Sequence, residues 1–154
     1  MSRAFVKEAE DGAVQELPDR LISEHRNFVT AEGLAMIEAE LRRADAAHAG
    51  DVAAGDRVAI AAAARDLRYW TARRASAEVV TPPKEAKEVH FGSEVTFERE
   101  DGRRQSYRIV GEDEADPTRG TLSYVSPLAR ALMGKAVGEM VRAPNGEVEL
   151  VVVR

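Results

Sequence analysis

The sequence predicts an α+β protein in which an antiparallel helical hairpin precedes a small antiparallel sheet domain with one short helix. Two observations support this fold class. Between residues 30 and 77, apolar residues recur at the spacing of a coiled-coil seam. After Pro82 and Pro83, short apolar runs alternate with polar turns, as is typical of strands. No apolar run reaches the ~18 residues of a membrane span, so we expect no membrane partner.

Composition limits the possible classes of function. The chain has 154 residues, 44% of them hydrophobic and 32% charged, which suits a soluble protein with its own core. It contains no cysteine, which excludes disulfides, thiolate metal sites and cysteine nucleophiles. Its net charge of -5 argues against coating bare nucleic acid, because phosphates require a surplus of Lys and Arg. A protein partner is therefore favoured, and a cytoplasmic location is expected because no signal-peptide pattern is present.

Changes in composition and in the spacing of apolar residues along the chain give the domain boundaries. Residues 1–27 are acidic and show no period, which predicts a flexible acidic tail. The hairpin is predicted over 28–80, and the prolines that follow end its second helix. Residues 81–88 then form a linker, and 89–154 form the C-terminal domain.

The two helices of the hairpin are predicted from their seams. Thr30 is a good N-cap for the first helix, and a polar bend is expected between Gly50 and Gly55. Leu67 and Trp70 are the largest seam residues of the second helix. Since they lie at its base, we expect both to be buried where the hairpin meets the C-terminal domain.

The C-terminal domain is predicted to contain five short strands and one helix. Ser126 is the expected N-cap of the helix, Pro127 suits its first position, and Gly134 ends it. Pro144-Asn145-Gly146 is a strong turn signal between the last two strands. The strands are expected at residues 89–97, 106–110, 122–125, 139–143 and 147–153.

The sequence contains no pattern typical of a complete active site. His25, His48 and His90 lie in different zones and lack metal-ligand spacing. Gly134-Lys135 lacks the other residues of a phosphate loop. We therefore expect an accessory protein with no cofactor of its own. Six arginines of the hairpin could guide a phosphate backbone or form a solvated face: Arg42, Arg43, Arg65, Arg68, Arg73 and Arg74.

Longer stretches resemble a known family. VHFGSEVTFE, YRIVGEDEADPTRGTLSYVSPLARALMGK and PNGEVELVVV resemble the C-terminal domain of the Gre transcript cleavage factors, and VTAEGLAMIEAEL resembles the start of their coiled coil. The resemblance covers residues 29–154. It implies a C-terminal domain similar in fold to the FK506-binding proteins, which docks on the bacterial RNA polymerase core at the rim of its secondary channel. It also implies a hairpin that enters the channel, in indirect contact with the nascent RNA.

The resemblance places a particular role at the hairpin bend. In the cleaving members, two acids at this tip help the polymerase to hold a second magnesium ion. Their pattern is Gly-Asp, followed three residues later by Glu and then Asn. Here Gly55-Asp56 matches, whereas Ala59 and Ile60 occupy the next two positions. Both arms also look about 12 Å shorter than in the cleaving members.

The candidate tip acids are therefore Asp56, which could assist the magnesium of the polymerase, and two possible substitutes for the missing partner, Asp51 and Asp45. Carboxylates are natural ligands for magnesium.

The resemblance also implies a docking surface. Ser126, Pro127 and Arg130 stand where the Ser-Pro helix of the family meets the polymerase. Asp113, Glu114 and Asp116 lie in the matching acidic loop. Without the resemblance, these residues would be interpreted as a helix start and a solvated loop.

Three functions follow from these observations. The first is a Gre-family elongation regulator that binds the polymerase at its secondary channel and stimulates transcript cleavage weakly or not at all. The second is a non-cleaving competitor for the channel, like the regulator of nucleoside diphosphate kinase. The third is a peptidyl-prolyl isomerase, which rests on fold analogy alone.

Overall fold

The computed structural model describes residues 17–154. A hairpin of two helices, α1 (Ala31–Ala54) and α2 (Arg57–Ser76), precedes a five-stranded sheet and a short helix, α3 (Pro127–Leu132). The predicted fold class is confirmed. Residues 1–16, the first part of the predicted acidic tail, lie outside the described residues.

Helix α1 begins as predicted and ends later than predicted. The Thr30 hydroxyl accepts a hydrogen bond from the Gly33 amide at 2.9 Å and caps the helix. The helix then continues through Gly50 for 24 residues, or about 36 Å. The bend itself consists of Gly55, in the left-handed region at φ 70°, and Asp56. The prediction of a bend from Gly50 was wrong, because the alanine-rich neighbours outweigh the modest cost of one helical glycine.

The seam between the helices buries small and medium side chains. Ile37, Ala44 and Ala63 are buried, whereas Leu67 and Trp70 are half-buried. The prediction that Leu67 and Trp70 are buried against the C-terminal domain was therefore wrong. One turn further on, Arg73 takes the buried position at the base of the hairpin.

A segment before α1 covers the exposed side of α2. We call residues 17–27 the strap. Its Arg20 guanidinium lies 3.8 Å from the ring centre of Tyr69 and 5.5 Å from that of Trp70. At its end, β1 (Phe28–Val29) pairs in parallel with β2 (Glu78–Val79). Three ion pairs join the strap to α2 and β2: Asp19–Arg68 at 2.6 Å, Arg20–Asp66 at 3.4 Å and Arg26–Glu78 at 2.7 Å.

The sheet contains both parallel and antiparallel strand pairs, and buried residues of the domain form one contiguous hydrophobic core. Its strand order is β5-β4-β3-β7-β6, and all neighbours are antiparallel except β4 and β5, which are parallel. The core contains Phe97, Ile109, Leu132 and Leu150, each fully buried. The strands are β3 (Glu94–Arg99), β4 (Arg104–Val110), β5 (Thr121–Ser123), β6 (Met140–Ala143) and β7 (Gly146–Val153).

The first predicted strand of this domain starts later than expected. Residues 90–93 form a turn, in which the Ser93 amide donates to the His90 carbonyl at 3.0 Å and the His90 amide donates to the Ser93 hydroxyl at 2.9 Å. Gly92 lies in this turn with φ 85°. Val89 and Phe91 are nevertheless buried. The apolar pattern that predicted a strand here therefore belongs to a packed turn. The predicted cap of α3 at Ser126 and the turn before β7 are confirmed.

The loop after β4 holds the start of α1. The Glu114 carboxylate accepts hydrogen bonds from the Thr30 amide at 3.1 Å and from the Thr30 hydroxyl at 2.5 Å. A carboxylate is stabilising at a helix N-terminus, where backbone amides lack partners. Two glycines permit this approach. A Cβ at Gly33 would lie 1.9 Å from Glu114 Oε2, and one at Gly111 would lie 2.4 Å from the Phe28 carbonyl oxygen.

The same loop holds α2 through a buried arginine. Arg73 is 2% exposed, and its Nε donates to Asp113 Oδ2 at 2.5 Å. Its Nη2 donates to Asn27 Oδ1 at 2.8 Å, and the Tyr69 hydroxyl donates to the other Asp113 oxygen. The interpretation of Arg73 as a phosphate guide or a solvated residue was wrong. We call the set of Asn27, Thr30, Tyr69, Arg73, Asp113 and Glu114 the joint.

The close approach at Gly33 gives a first prediction. Gly33→Ala should lower the free energy of unfolding by about 1–2 kcal/mol, because Glu114 must move and lose its hydrogen bonds to Thr30. Gly50→Ala is the matched control in the same helix, since a Cβ there meets nothing within 4 Å. It should raise the free energy of unfolding by up to about 1 kcal/mol through helix propensity. Denaturant titration measures both, and equal stabilisation by the two changes would contradict the close contact.

The half-buried phenol of Tyr69 gives a pH-dependent prediction. Burial, followed by the hydrogen bond to Asp113, raises the pKa of Tyr69 to about 12. The folded state therefore holds this proton more tightly than the unfolded chain does. Its contribution to stability is complete below about pH 10 and is lost as the pH rises to about 12.

Burial raises the pKa of Tyr124 as well, so the late step assigned to Tyr69 in a phenolate absorbance titration of the folded protein is the one at about pH 12. Tyr69→Phe should abolish that late step, whereas Tyr107→Phe should retain it. Persistence of the late step without Tyr69 would disprove the assignment.

Candidate functional site

The bend of the hairpin presents Asp56 in a defined role. Asp56 Oδ1 accepts a hydrogen bond from the Ala59 amide at 3.1 Å, so this carboxylate is the N-cap of α2. Capping occupies one oxygen and fixes the side chain against the helix it starts. The carboxylate remains exposed at the tip and can still accept from or coordinate a partner through its other lone pairs.

The other two candidate acids lie on α1. Asp51 belongs to the last turn of this helix, and its carbonyl accepts from the Asp56 amide at 3.3 Å. Asp45 lies about 9 Å before Asp51 along the helix axis. The structure therefore brings Asp51 and Asp56 to the bend and leaves Asp45 outside it. Within residues 17–154, no group of three or more His, Cys, Asp or Glu side chains could hold a metal ion.

The rest of the tip is largely apolar. Val58 is 78% exposed and Val52 is 53% exposed, one on each side of the bend. Ala59 and Ile60 are half-buried and carry no oxygen donor in their side chains. The tip therefore presents two carboxylates beside exposed aliphatic side chains. This arrangement suits contact with the surface of another molecule.

The start of α3 forms a second exposed feature. The Ser126 hydroxyl accepts from the Ala129 amide at 3.2 Å, while Pro127 and Arg130 face solvent. One Arg130 guanidinium nitrogen lies 3.4 Å from His25 Nε2 of the strap. The helix and the strap thus share one surface, whose exposed side chains are Pro127, Arg130 and His25.

The three acids of the predicted acidic loop are placed differently from one another. Asp113 and Glu114 point into the joint and bind α2 and α1 respectively. The side chain of Asp116 is more exposed than that of Asp113. Its carboxylate accepts hydrogen bonds from the Thr118 amide at 3.0 Å and from the Thr118 hydroxyl at 2.6 Å. The hydroxyl bond lowers the pKa of Asp116. Within the described residues, none of these three carboxylates forms a hydrogen bond or an ion pair with Ser126, Pro127 or Arg130.

Sequence reasoning missed the joint. Asn27 fell in the predicted tail, and Tyr69 carried no recognisable pattern. Continued in steps of three and four, the seam of α2 reaches Arg74 after Trp70, whereas the buried arginine is Arg73, so the register gave no signal for it.

Comparison with known proteins identifies the relatives of this chain. Residues 83–154 match the model of the family described as transcription elongation factor, GreA/GreB, C-term. Transcription elongation factor GreA of Anaeromyxobacter sp. (strain K) is 46% identical over 87 residues, which are 54% of this chain and 51% of that protein. The chain thus spans about half the length of this relative.

A longer match extends the similarity to the hairpin. Transcription elongation factor GreA of Desulfovibrio desulfuricans is 35% identical over 140 residues, which are 88% of this chain and 83% of that protein. Among solved structures, GreA factor homolog 1 of Thermus thermophilus is 21% identical with a TM-score of 0.39, covering 84% of this chain and 99% of the other. Separately, no helix within residues 17–154 is long and apolar enough to cross a membrane. On the strength of the family model and the long GreA match, this chain belongs to the GreA/GreB family of transcription elongation factors.

Proposed function

We propose that this protein regulates transcription elongation by binding the core of bacterial RNA polymerase at its secondary channel. The C-terminal domain docks at the rim through the start of α3, and the hairpin enters the channel. There it stimulates transcript cleavage weakly or not at all. The observation that carries this proposal is the tip, where Asp56 caps α2 while Ala59 and Ile60 occupy the positions of the family's Glu and Asn.

The chemistry of magnesium supports a weak cleavage role. Magnesium requires near-octahedral oxygen coordination at about 2.0–2.1 Å, and a two-metal site stabilises both the attacking and the leaving oxygen. Ala59 supplies no oxygen ligand from its side chain. Asp56 has one oxygen engaged with its own helix at 3.1 Å. A second ion held by so few donors from the factor is held weakly.

A second candidate function rests on Asp51. It lies in the last turn of α1, beside the bend that carries Asp56. A partner that draws both carboxylates onto one ion would make the protein an assistant to the polymerase magnesium. This is the specific alternative to a channel-binding competitor that does not cleave.

A peptidyl-prolyl isomerase has less support. Such an enzyme binds proline in an open aromatic pocket, yet Phe91 and Phe97 are 6% and 0% exposed. Phe97 stacks on Tyr107 inside the sheet domain.

Backtracked elongation complexes test the role of the tip. We expect that the protein leaves the backtracked RNA at its original length, and that it slows cleavage by an added cleaving Gre factor through competition for the channel. The readout is the length of the labelled RNA on a gel over time.

Three single changes make this test specific. Robust shortening of the RNA that disappears in Asp56→Asn or Asp51→Asn would disprove the proposal and establish a metal-assisting tip. Asp45→Asn is the matched control, because Asp45 lies on the same helix away from the bend and should have no effect in either case.

Two substitutions that each introduce a negative charge test the docking surface. Pro127→Glu and Arg130→Glu should each weaken binding to core polymerase by about tenfold or more, since a central contact is replaced by a buried charge. Both residues are exposed, so neither change removes a core contact, and a glutamate at position 127 is favourable because it is the first position of α3. Titration of labelled protein with polymerase measures the change.

The control for this experiment is Arg103→Glu, which alters the charge of an exposed residue in the β3–β4 turn. It should leave binding unchanged. Full retention of binding by both α3 variants would remove the docking assignment.

A further inference from the structure

We propose that the loop of residues 111–116 sets the angle between the hairpin and α3, with Asp113 and Glu114 as positioning residues that each hold one helix. The importance of this angle rests on the proposed function, because it determines where the tip lies once α3 has docked. The contacts that fix the angle belong to the protein itself.

Two consecutive residues of this loop hold different arms of the hairpin. Asp113 binds Arg73 and Tyr69 of α2, and Glu114 binds the amide and hydroxyl of Thr30 at the start of α1. A single contact between two bodies leaves rotation about that contact. Two contacts on different helices, made from one short segment, remove most of that freedom.

Both contacts are built to resist displacement. The Arg73 and Asp113 side chains are 2% and 7% exposed, so separating them would leave charges buried without partners. Glu114 also accepts from the Gly111 amide at 3.3 Å, and the missing Cβ atoms of Gly33 and Gly111 leave the space it occupies. A buried polar group that loses its partner is costly, so the joint favours one arrangement.

The loop is connected to α3 without a flexible linker. After Asp116 the chain forms a short 3-10 helix, Pro117–Arg119, and then β5. The Thr121 amide donates to the Asp116 carbonyl at 3.2 Å, and β5 pairs with β4 on the other side of the loop. Three residues after β5, Ser126 caps α3. The angle set at the joint is therefore transmitted to the docking helix through hydrogen-bonded backbone.

The length of the hairpin amplifies any change at the joint. Since α1 is about 36 Å long, a rotation of roughly 10° about its base moves the tip by about 6 Å. Metal coordination and close surface contacts fail over about 2–3 Å. Small losses of order at Asp113 and Glu114 should therefore be visible as large displacements of Val58.

The distance between the tip and the sheet domain tests this directly. The chain contains no cysteine, so Val58→Cys and Arg142→Cys, both at exposed positions, allow two spin labels without background. Pulsed electron-electron double resonance on the full chain should give one narrow distance distribution. Adding Asp113→Asn and Glu114→Gln should broaden it or shift it by several ångströms, with helical circular dichroism unchanged.

Two further variants keep the distance measurement interpretable. Asp116→Asn removes the third acid of the same loop, which bonds Thr118 and not the hairpin, and should keep the narrow distribution. Glu114→Asp keeps the charge but shortens the reach by one methylene, and should shift the distance even if the double variant fails to fold. A wild-type distribution in Glu114→Asp and in the folded double variant would overturn the proposal, as would equal broadening by Asp116→Asn.

Binding to polymerase separates this proposal from the proposed function. Pro127→Glu should weaken binding to core polymerase and keep the narrow tip distance, because Pro127 lies at the start of α3 and outside the joint. If the unchanged chain fails to bind, the proposed function is wrong, and the distance measurements on the free protein still decide the role of the joint.

Discussion

The buried guanidinium of Arg73 determines how the two parts of this molecule meet. An arginine removed from water is tolerated when its charge is paired and its N–H groups have acceptors. Here the acceptors come from separate parts of the chain: Asn27 at the end of the strap and Asp113 in the loop after β4. Asn27 also donates to the Arg73 carbonyl at 2.9 Å, which ties the strap to the helix backbone. The strap, α2 and the sheet domain therefore have to assemble around one charge.

Local signals predicted the parts of the fold that depend on neighbouring residues. Thr30 and Ser126 cap their helices because each hydroxyl reaches an amide three residues on, and the Pro-Asn-Gly turn fixes the last hairpin of the sheet. The joint was not predicted because its partners are far apart in sequence. An arginine in a helix is usually solvated, and nothing near Arg73 indicates that Asp113 will lie beside it.

Two other errors have a physical origin of the same kind. Val89 and Phe91 have the apolar pattern of a strand, yet they are buried in a turn fixed by Ser93 and Gly92. Gly50 resembles a helix breaker, yet one glycine among alanines costs less than ending the helix early. At the candidate site, the sequence supplied the tip acids and the α3 residues. It did not supply the hydrogen bond from the Ala59 amide by which Asp56 caps α2. Membership of the family does not determine whether a protein stimulates cleavage, because function resides in particular side chains rather than in the fold.

The contact of Glu114 with Thr30 at the start of α1 also affects the order in which the chain can fold. The contact joins residues 84 positions apart, so the first turn of α1 lacks this carboxylate until the loop after β4 has been synthesised. During synthesis, the hairpin emerges from the ribosome first and can form its own seam from local contacts. Its base becomes fixed only when the C-terminal domain closes on it. The newly made hairpin is therefore a helical pair with an open base, and closure of the joint is a late step that completes the folded protein.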